Sequence, residues 1–444
     1  MPPDPEVLIV GAGVAGLFCA YHLRRRGIGV AVLERGPVGG PQSCSSGNTG
    51  FVGAQGAAPL AQPAELAGGG PGRYRRLLDP AGPLSVRLRR DGELLSWLWH
   101  FRRACDEPTA AAGYRVLVEL KQRSLAMLRE LCSPAGSGGL AATFTEDGMV
   151  LAFRTAAGFE AAARTVPRAA AHGVPLRVLG AGELAALEPG VDFAVHGALY
   201  NPEGGAVHAP AFAVELASLL ADRGVEIHPF TEVLDFDVAG ERVRQVRTTR
   251  GDFRPAETVL AAGSWTTELA RRLGVGLELQ PVKGYSVTVR MPANAPRRPV
   301  LLGEGTVAMA PLGDRLRLAG SLELSGLDGT FSRARVDGLL DTAREFLPSL
   351  ERTEIVEVWR GFRPCTPDSI PFLGRAAPYR NLTVACGHGT IGMGLAPAAG
   401  EVVARIVAGE PPELDLAPFR LGRFGSARRG PGRPKRMVAM GRWR

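Results

Sequence analysis

Residues 7–16, "VLIVGAGVAG", decide how the rest of this chain is read. Val7, Leu8, Ile9 and Val10 have the pattern of a strand buried on both faces, and a run with apolar Leu17, Ala20 and Leu23 follows at helical spacing. Between them lies G-x-G-x-x-G. Gly11 permits the tight turn, Gly13 lets backbone approach a pyrophosphate, and Gly16 lets the helix pack closely on the strand. The helix N-terminus then supplies free N–H donors and partial positive charge. Gly11, Gly13, Ala15 and Gly16 are the candidate cofactor contacts of this turn.

The motif alone is weak evidence, so its surroundings matter. "RRRGIGVAVLER" (residues 24–35) places a second strand at residues 29–33 and ends it with Glu34, 18 positions after Gly16. An acid there accepts hydrogen bonds from ribose hydroxyls and completes a dinucleotide fingerprint, with Arg35 beside it. FAD and NAD share that fingerprint. Residues 43–53, "SCSSGNTGFVG", are small and polar where an FAD-binding chain would pass under the pyrophosphate and ribityl arm. The bland alternative is a flexible serine-glycine loop.

Further out, 444 residues allow two or three domains, and 45% hydrophobic with 22% charged residues is the balance of a globular protein. The apolar runs are short and broken by glycine, so no transmembrane helix is expected. Acids near the N-terminus argue against a signal peptide and for the cytoplasm. Six scattered cysteines with no Cys-x-x-Cys pair point to no metal, cluster or redox dithiol. The net charge of +8 belongs to residues 422–444, which hold eight basic residues and no acid, so the remainder balances to 8 − 8 = 0. That stretch reads as a disordered, solvated tail; contact with anionic lipid stays open, and nucleic acid is not an expected partner.

The middle of the chain is mixed. Residues 94–131 read as helical, with Trp97, Trp99 and Phe101 packing a core. Residues 143–155 read as a strand pair turned at Asp147-Gly148. His208 stands before a helix at residues 210–223, where a cap or surface role is expected. Residues 258–262 form a strand that ends in "GSWT", repeating the opening logic and placing Gly263 at the carboxyl ends of the strands, where nucleotides bind. Residues 281–324 alternate with hairpin turns, an antiparallel sheet. Two sheet types imply two domains.

The ordered set "VGAGVAGL", "SSGNTG", "AAGSW", "PVKGYSVTV", "GFRPCTPDSIPFLG" and "GHGTIG" resembles the FAD-dependent D-amino-acid oxidase superfamily. It is most similar there to the small-subunit type of D-amino-acid dehydrogenase and its hydroxyproline dehydrogenase relatives. The resemblance implies an α/β (α+β overall) chain, in which a Rossmann-like FAD-binding domain interleaves with an antiparallel-sheet substrate domain. The expected FAD-binding segments are 1–80, 206–276 and 356–421, the substrate segments 81–205 and 277–355, and the tail 422–444. It also implies amine oxidation by hydride transfer to flavin N5, with a small amino acid as substrate and a quinone or oxygen as electron acceptor.

By the same resemblance Val233 touches the adenine through its backbone, Ser45, Asn48, Thr49 and Gly50 lie along the flavin, and Arg363 binds the substrate carboxylate. Tyr285 would line that pocket, and Lys283 would face solvent or a neighbouring strand. Relatives place an aromatic residue on the hairpin near residues 307–311, where this chain has Met309, so the identity of the amine is open. A glycine- or sarcosine-oxidase-like enzyme using oxygen is an alternative. A nicotinamide-dependent enzyme would leave Gly263 and the late loop without a role, and a non-catalytic flavin or nucleic-acid protein is motivated by the tail alone.

"CGHGTIGMG" (residues 386–394) is a second strand-glycine-helix unit, but no acid follows on a further strand, so it is no second dinucleotide fingerprint. Gly387, Gly389, Thr390, Ile391 and Gly392 are expected to bring another helix N-terminus to the flavin's pyrimidine end, where anionic charge gathers on reduction. His388 could tune the flavin, act as a base, or be structural.

Overall fold

The computed structural model describes residues 4–63, 84–87, 89, 91–133 and 140–425. Its first sheet has six strands in the order Glu226–His228, Val30–Leu33, Val7–Val10, Glu257–Leu260, Leu382–Cys386 and Phe372–Arg375. The first five are parallel and the last is antiparallel. Period-two alternation divides their side chains between two cores. Val7, Ile9, Val30 and Val32 face one cluster with the helices Val14–Arg25, Glu107–Leu131, Ala209–Asp222 and Gly392–Ala408. Leu8, Val10, Ala31 and Leu33 face the other, with the meander Val233–Ala239, Arg242–Thr248, Gly251–Phe253 and the helix Thr266–Arg272.

The helix Gly392–Ala408 is the pivot of the first core. A side chain at Gly400 would come within 2.6 Å of the Phe18 backbone, so glycine sets how closely this helix meets Val14–Arg25. Pro397 removes one N–H from its ladder, and Ser124 of the helix Glu107–Leu131 fills in: its Oγ accepts from Ala398 N at 3.1 Å and donates to Leu395 O at 3.2 Å. Contrary to the sequence expectation, residues 389–408 are long and apolar enough to cross a membrane, but 61% of an apolar 18-residue window within them is buried inside the protein, as in a core helix.

The second sheet runs Ile355–Cys365, Gln280–Arg290, Arg315–Leu324, Val307–Leu312, Val300–Leu302, Met149–Phe153, Gly197–Asn201 and Arg177–Gly180, with Leu84–Val86 alongside Arg315–Leu324. One face packs on the helix Arg333–Phe346. Several expectations are corrected here. Asp147-Gly148 does turn the chain, with Gly148 at φ +83°, but Phe144–Thr145 pairs with Gly205–Val207 while Met149–Phe153 joins the large sheet, so there is no hairpin. The strand Ile355–Cys365 lies whole in the large sheet, although the boundary expected at 355/356 puts all but its first residue in an FAD-binding segment. The helix Glu107–Leu131, expected in a substrate segment, packs in the core of the first sheet. Trp97 is buried against Phe101, whereas Trp99 is exposed. Gly422 and Arg423 belong to the fold rather than to a tail: they lie in a 3-10 turn, Leu421–Phe424, and Arg423 pairs with Asp368 at 2.7 Å.

Candidate active site

The dinucleotide turn forms at the end of the strand Val7–Val10. Gly11 has φ +110°, and a Cβ there would lie 2.6 Å from Ala261 O; a Cβ at Gly16 would lie 1.9 Å from Gly11 O. Both positions therefore demand glycine. The helix Val14–Arg25 starts at Gly13 without a side-chain cap from that residue, so its first amides take partners from outside the helix. Ser45 Oγ accepts from Val14 N at 3.0 Å, which ties residues 43–50 to this turn. Glu34 ends the second strand and accepts from Ala12 N at 2.9 Å and Gly36 N at 3.2 Å. Thr231 N donates to Glu34 O, placing the start of the Val233–Ala239 strand on the same rim. Arg35 stacks on Trp265, 3.6 Å from the ring centre, and burial lowers its pKa.

Residues 43–50 lie across the exposed-looking face of the large sheet. Arg317 reaches up from the strand Arg315–Leu324 and donates to Ser46 O, while its Nη2 meets Glu357 at 2.9 Å and its Nε meets Thr288 Oγ1 at 3.1 Å. Trp359 packs where a side chain on Gly47 or Gly361 would stand, and its Nε1 donates to Pro41 O. Asn48 Oδ1 accepts from Gly50 N at 2.6 Å, and a Cβ on Gly50 would meet Val207 O. The sequence reading missed Arg317, Trp359 and Cys44. Arg317 alternates with Leu316 and Leu318 and so looks like a solvent-facing position.

The main-chain oxygen of Phe362 joins three of the predicted segments. It accepts from Cys44 Sγ at 2.6 Å and from Ser264 Oγ at 2.9 Å, next to Gly263 at φ +54°. The following residue is Arg363. Its Nη1 donates to Ser321 O at 2.9 Å and its Nη2 lies 3.5 Å from Gly320 O. Burial pushes its pKa down, and the ionisable groups that act on it are the thiols of Cys44 and Cys365. Among the described residues it has no carboxylate partner within ion-pairing distance.

Tyr285 is not beside Arg363. Val282 pairs with Arg363 and Gly284 with Gly361, so those residues share one face, while Tyr285 points to the other. There it is fully buried with the helix Arg333–Phe346, and its hydroxyl accepts from Ser332 N at 3.2 Å. Lys283 points the same way, 1% exposed and 3.3 Å from Glu323. Met309 is also in that core, so Ala308 and Ala310 stand on the Arg363 face instead.

The late loop joins this region through a backbone bridge between Cys365 and His388. Gly387 (φ +89°) and Gly389 (φ +55°) make the turn, and the helix Gly392–Ala408 begins without a side-chain cap. Thr390 and Ile391 line a small hollow with His388, Thr366 and Ser369. His388 is buried, its Nε2 has no hydrogen-bond partner among the described residues, and burial holds its pKa down to about 4. It is a neutral hydrogen-bonding group near pH 7 and poorly matched to general-base work.

These features fit FAD. Two helix N-termini lack an N-cap side chain and can offer amides to an anionic dinucleotide, the Glu34 carboxylate ends the second strand beside the glycine turn, and among the described residues the buried Nε2 of His388 has no partner. The family profile described as DAO, FAD dependent oxidoreductase, matches residues 6–406. A protein named D-amino acid dehydrogenase from Paramagnetospirillum magneticum is 34% identical over 427 residues, covering 95% of this chain and 99% of its own length. One of the same name from Methylobacterium radiotolerans is 33% identical, covering 95% and 100%. The crystal structure of glycine oxidase from Geobacillus kaustophilus superposes with a TM-score of 0.73 at 29% identity, over 94% of this chain and 98% of that one. The chain is an FAD-dependent amino-acid oxidoreductase and belongs to the DAO family.

Proposed function

We propose that this enzyme is a D-amino-acid dehydrogenase that delivers electrons to a quinone-type acceptor. The observation that carries the reading is Arg363, a desolvated, half-buried guanidinium held by main-chain carbonyls with no carboxylate of the described chain opposite it. A desolvated cation without a counter-charge is costly, and a planar guanidinium suits a carboxylate through two parallel hydrogen bonds. The substrate's carboxylate completes the pair. Ala308, Ala310 and Ala319, small side chains, stand on the same face of the sheet as Arg363. FAD, when bound, supplies the two-electron acceptor for the substrate's α-C–H bond. In this reading residues 11–16, Glu34, Arg35, Val233 and Gly263 hold its nucleotide, Ser45, Asn48, Thr49 and Gly50 its middle, and residues 387–392 its charge-bearing end. Positioning is then the chain's main contribution, and an amine that arrives unprotonated needs no protein base.

The names of the relatives support the D-amino-acid substrate. The likeness to glycine oxidase favours a second reading, in which oxygen is the acceptor. Anaerobic mixing of the purified flavoprotein with D- and L-amino acids, prolines, N-methylglycine and amines lacking a carboxylate tests both. D-amino acids should bleach the flavin and carboxylate-free amines should not. If no amino acid bleaches it, the reading fails, and rapid reoxidation by oxygen alone would favour the oxidase.

A further inference from the structure

Arg363 is held by a backbone irregularity that its own strand does not require. Between the strands Gln280–Arg290 and Arg315–Leu324 the register slips: Lys283 stands opposite Glu323, but Tyr285 stands opposite Gly320. Ser321 and Leu322 therefore form a bulge across from Gly284. Within it Ser321 takes φ +64°, a left-handed conformation that costs a side-chain-bearing residue and persists only where its surroundings enforce it. The result is that successive carbonyls, Gly320 O and Ser321 O, turn to the guanidinium of Arg363.

The enforcing group lies on the far side of the sheet. Arg335, from the first turn of the helix Arg333–Phe346, is 4% exposed, and its Nη1 donates to Ser321 Oγ at 2.6 Å. Its own position is fixed by Glu323 at 3.4 Å and by Ser85 Oγ. One residue thus faces both ways: the Ser321 hydroxyl meets Arg335 and its carbonyl meets Arg363. An interior strand has no need of a strained serine or of a buried arginine beneath it, and hydrophobic packing would fill the same space more simply.

We infer that Ser321 and Arg335 are positioning residues that set the affinity for the substrate carboxylate from behind the sheet. Arg335 holds the hydroxyl, the hydroxyl holds Ser321 in its left-handed turn, and the turned carbonyl fixes the plane of the Arg363 guanidinium. The inference rests on the reading of Arg363 as the carboxylate anchor.

The test is steady-state kinetics of the holoenzyme variants Ser321→Ala, Ser321→Asn and Arg335→Met, with Arg363→Lys as reference. Ser321→Ala removes the hydroxyl but keeps the cost of the left-handed backbone, so it and Arg335→Met should raise KM for the amino acid roughly tenfold or more with kcat at saturation nearly unchanged, because they remove binding common to ground and transition states. The flavin spectrum should not change. Ser321→Asn, which keeps a side-chain acceptor and tolerates left-handed backbone, should leave KM near the wild-type value. If Arg335→Met does not fold, Ser321→Ala decides alone. A raised KM in Arg363→Lys with wild-type KM in Ser321→Ala overturns this inference and leaves the carboxylate reading intact. An unchanged KM in Arg363→Lys overturns that reading itself and the inference with it.

Discussion

Gly284→Ala probes the Arg363 anchor without touching any group that could do chemistry. Gly284 pairs with Gly361 of the neighbouring end strand of the sheet, and a Cβ built on it would lie 1.6 Å from Arg363 Nη1 and 2.2 Å from its Cζ. The Gly284 backbone is outside the left-handed region, so alanine fits the strand and the conflict falls on the guanidinium. Removing a glycine also narrows the unfolded ensemble, which gives a compatible Gly→Ala change about 0.4–1 kcal/mol of stability in its favour. The guanidinium must then leave the Gly320 and Ser321 carbonyls and tilt away from a bound carboxylate. Each charge-assisted hydrogen bond is worth about 1.5–3 kcal/mol. Loss of two would lower kcat/KM by roughly 10²- to 10⁴-fold, at about 1.4 kcal/mol per decade. Anaerobic flavin reduction followed against substrate concentration reads this directly, with Tm and the flavin spectrum as controls. A folded, flavin-loaded Gly284→Ala enzyme with wild-type kcat/KM would refute the placement of the carboxylate at Arg363.

Two further substitutions test the packing beneath the site through pH. Lys121 is 2% exposed, donates to Gln55 O at 2.6 Å, and is held down to about 7 by burial. Because its folded pKa lies below its unfolded value, its charge destabilises the fold at low pH, and the penalty fades as pH rises from about 7 towards 10.5. Lys121→Met should therefore raise Tm more at pH 6 than at pH 9. The acid-side penalty is on the order of 5 kcal/mol as an upper figure, offset by about 1 kcal/mol for the lost hydrogen bond; equal gains at both pH values would contradict the burial argument. Glu401 bridges the helices Val14–Arg25 and Gly392–Ala408, and its hydrogen bond with His22, then those with Arg26, hold its carboxyl well below the usual range. A depressed acid stabilises above its unfolded pKa and loses that contribution as pH falls. Glu401→Gln should lower Tm near neutrality and flatten the acid branch of the Tm–pH curve, and an unaltered acid branch would show that the bridge carries no linkage.

The nucleotide turn was legible from sequence because its constraints are local. Gly11 and Gly16 are glycine for reasons of contact with Ala261 and with each other, and such reasons leave the same spacing in any chain that folds this way. The face of the large sheet was not legible. In "QPVKGYSVTVR" almost every residue is buried, so alternation does not say which side holds the site, and Tyr285 was assigned to the wrong one. Arg317 hid for the converse reason: it alternates as a solvent-facing residue does, but residues 43–50 cover it. At Asp147-Gly148 the local turn was right and the pairing wrong, because which strands meet is decided by the core. Likewise nothing in the order of residues marks Ser321, whose conformation depends on a partner from the far side of the sheet.

Two arginines on one face of that sheet show how the fold separates structure from function. Both are desolvated, and burial lowers the pKa of each. Arg317 has Glu357 as counter-charge, Thr288 as acceptor and the Ser46 carbonyl as its load, so its donors are committed to holding residues 43–50 in place. Changing it would disturb the loop whatever the substrate. Arg363 meets two carbonyls, which orient it but carry no net charge to balance it. A desolvated cation in that state lowers its free energy most by meeting an anion, and the planar fork prefers one with two oxygens. On the proposed reading, selectivity for amino acids over simple amines would follow from a charge that no described side chain compensates. The same reasoning makes Arg363→Lys a severe change rather than a conservative one, since a lysine keeps the charge but loses the geometry that the bulge at Ser321 enforces.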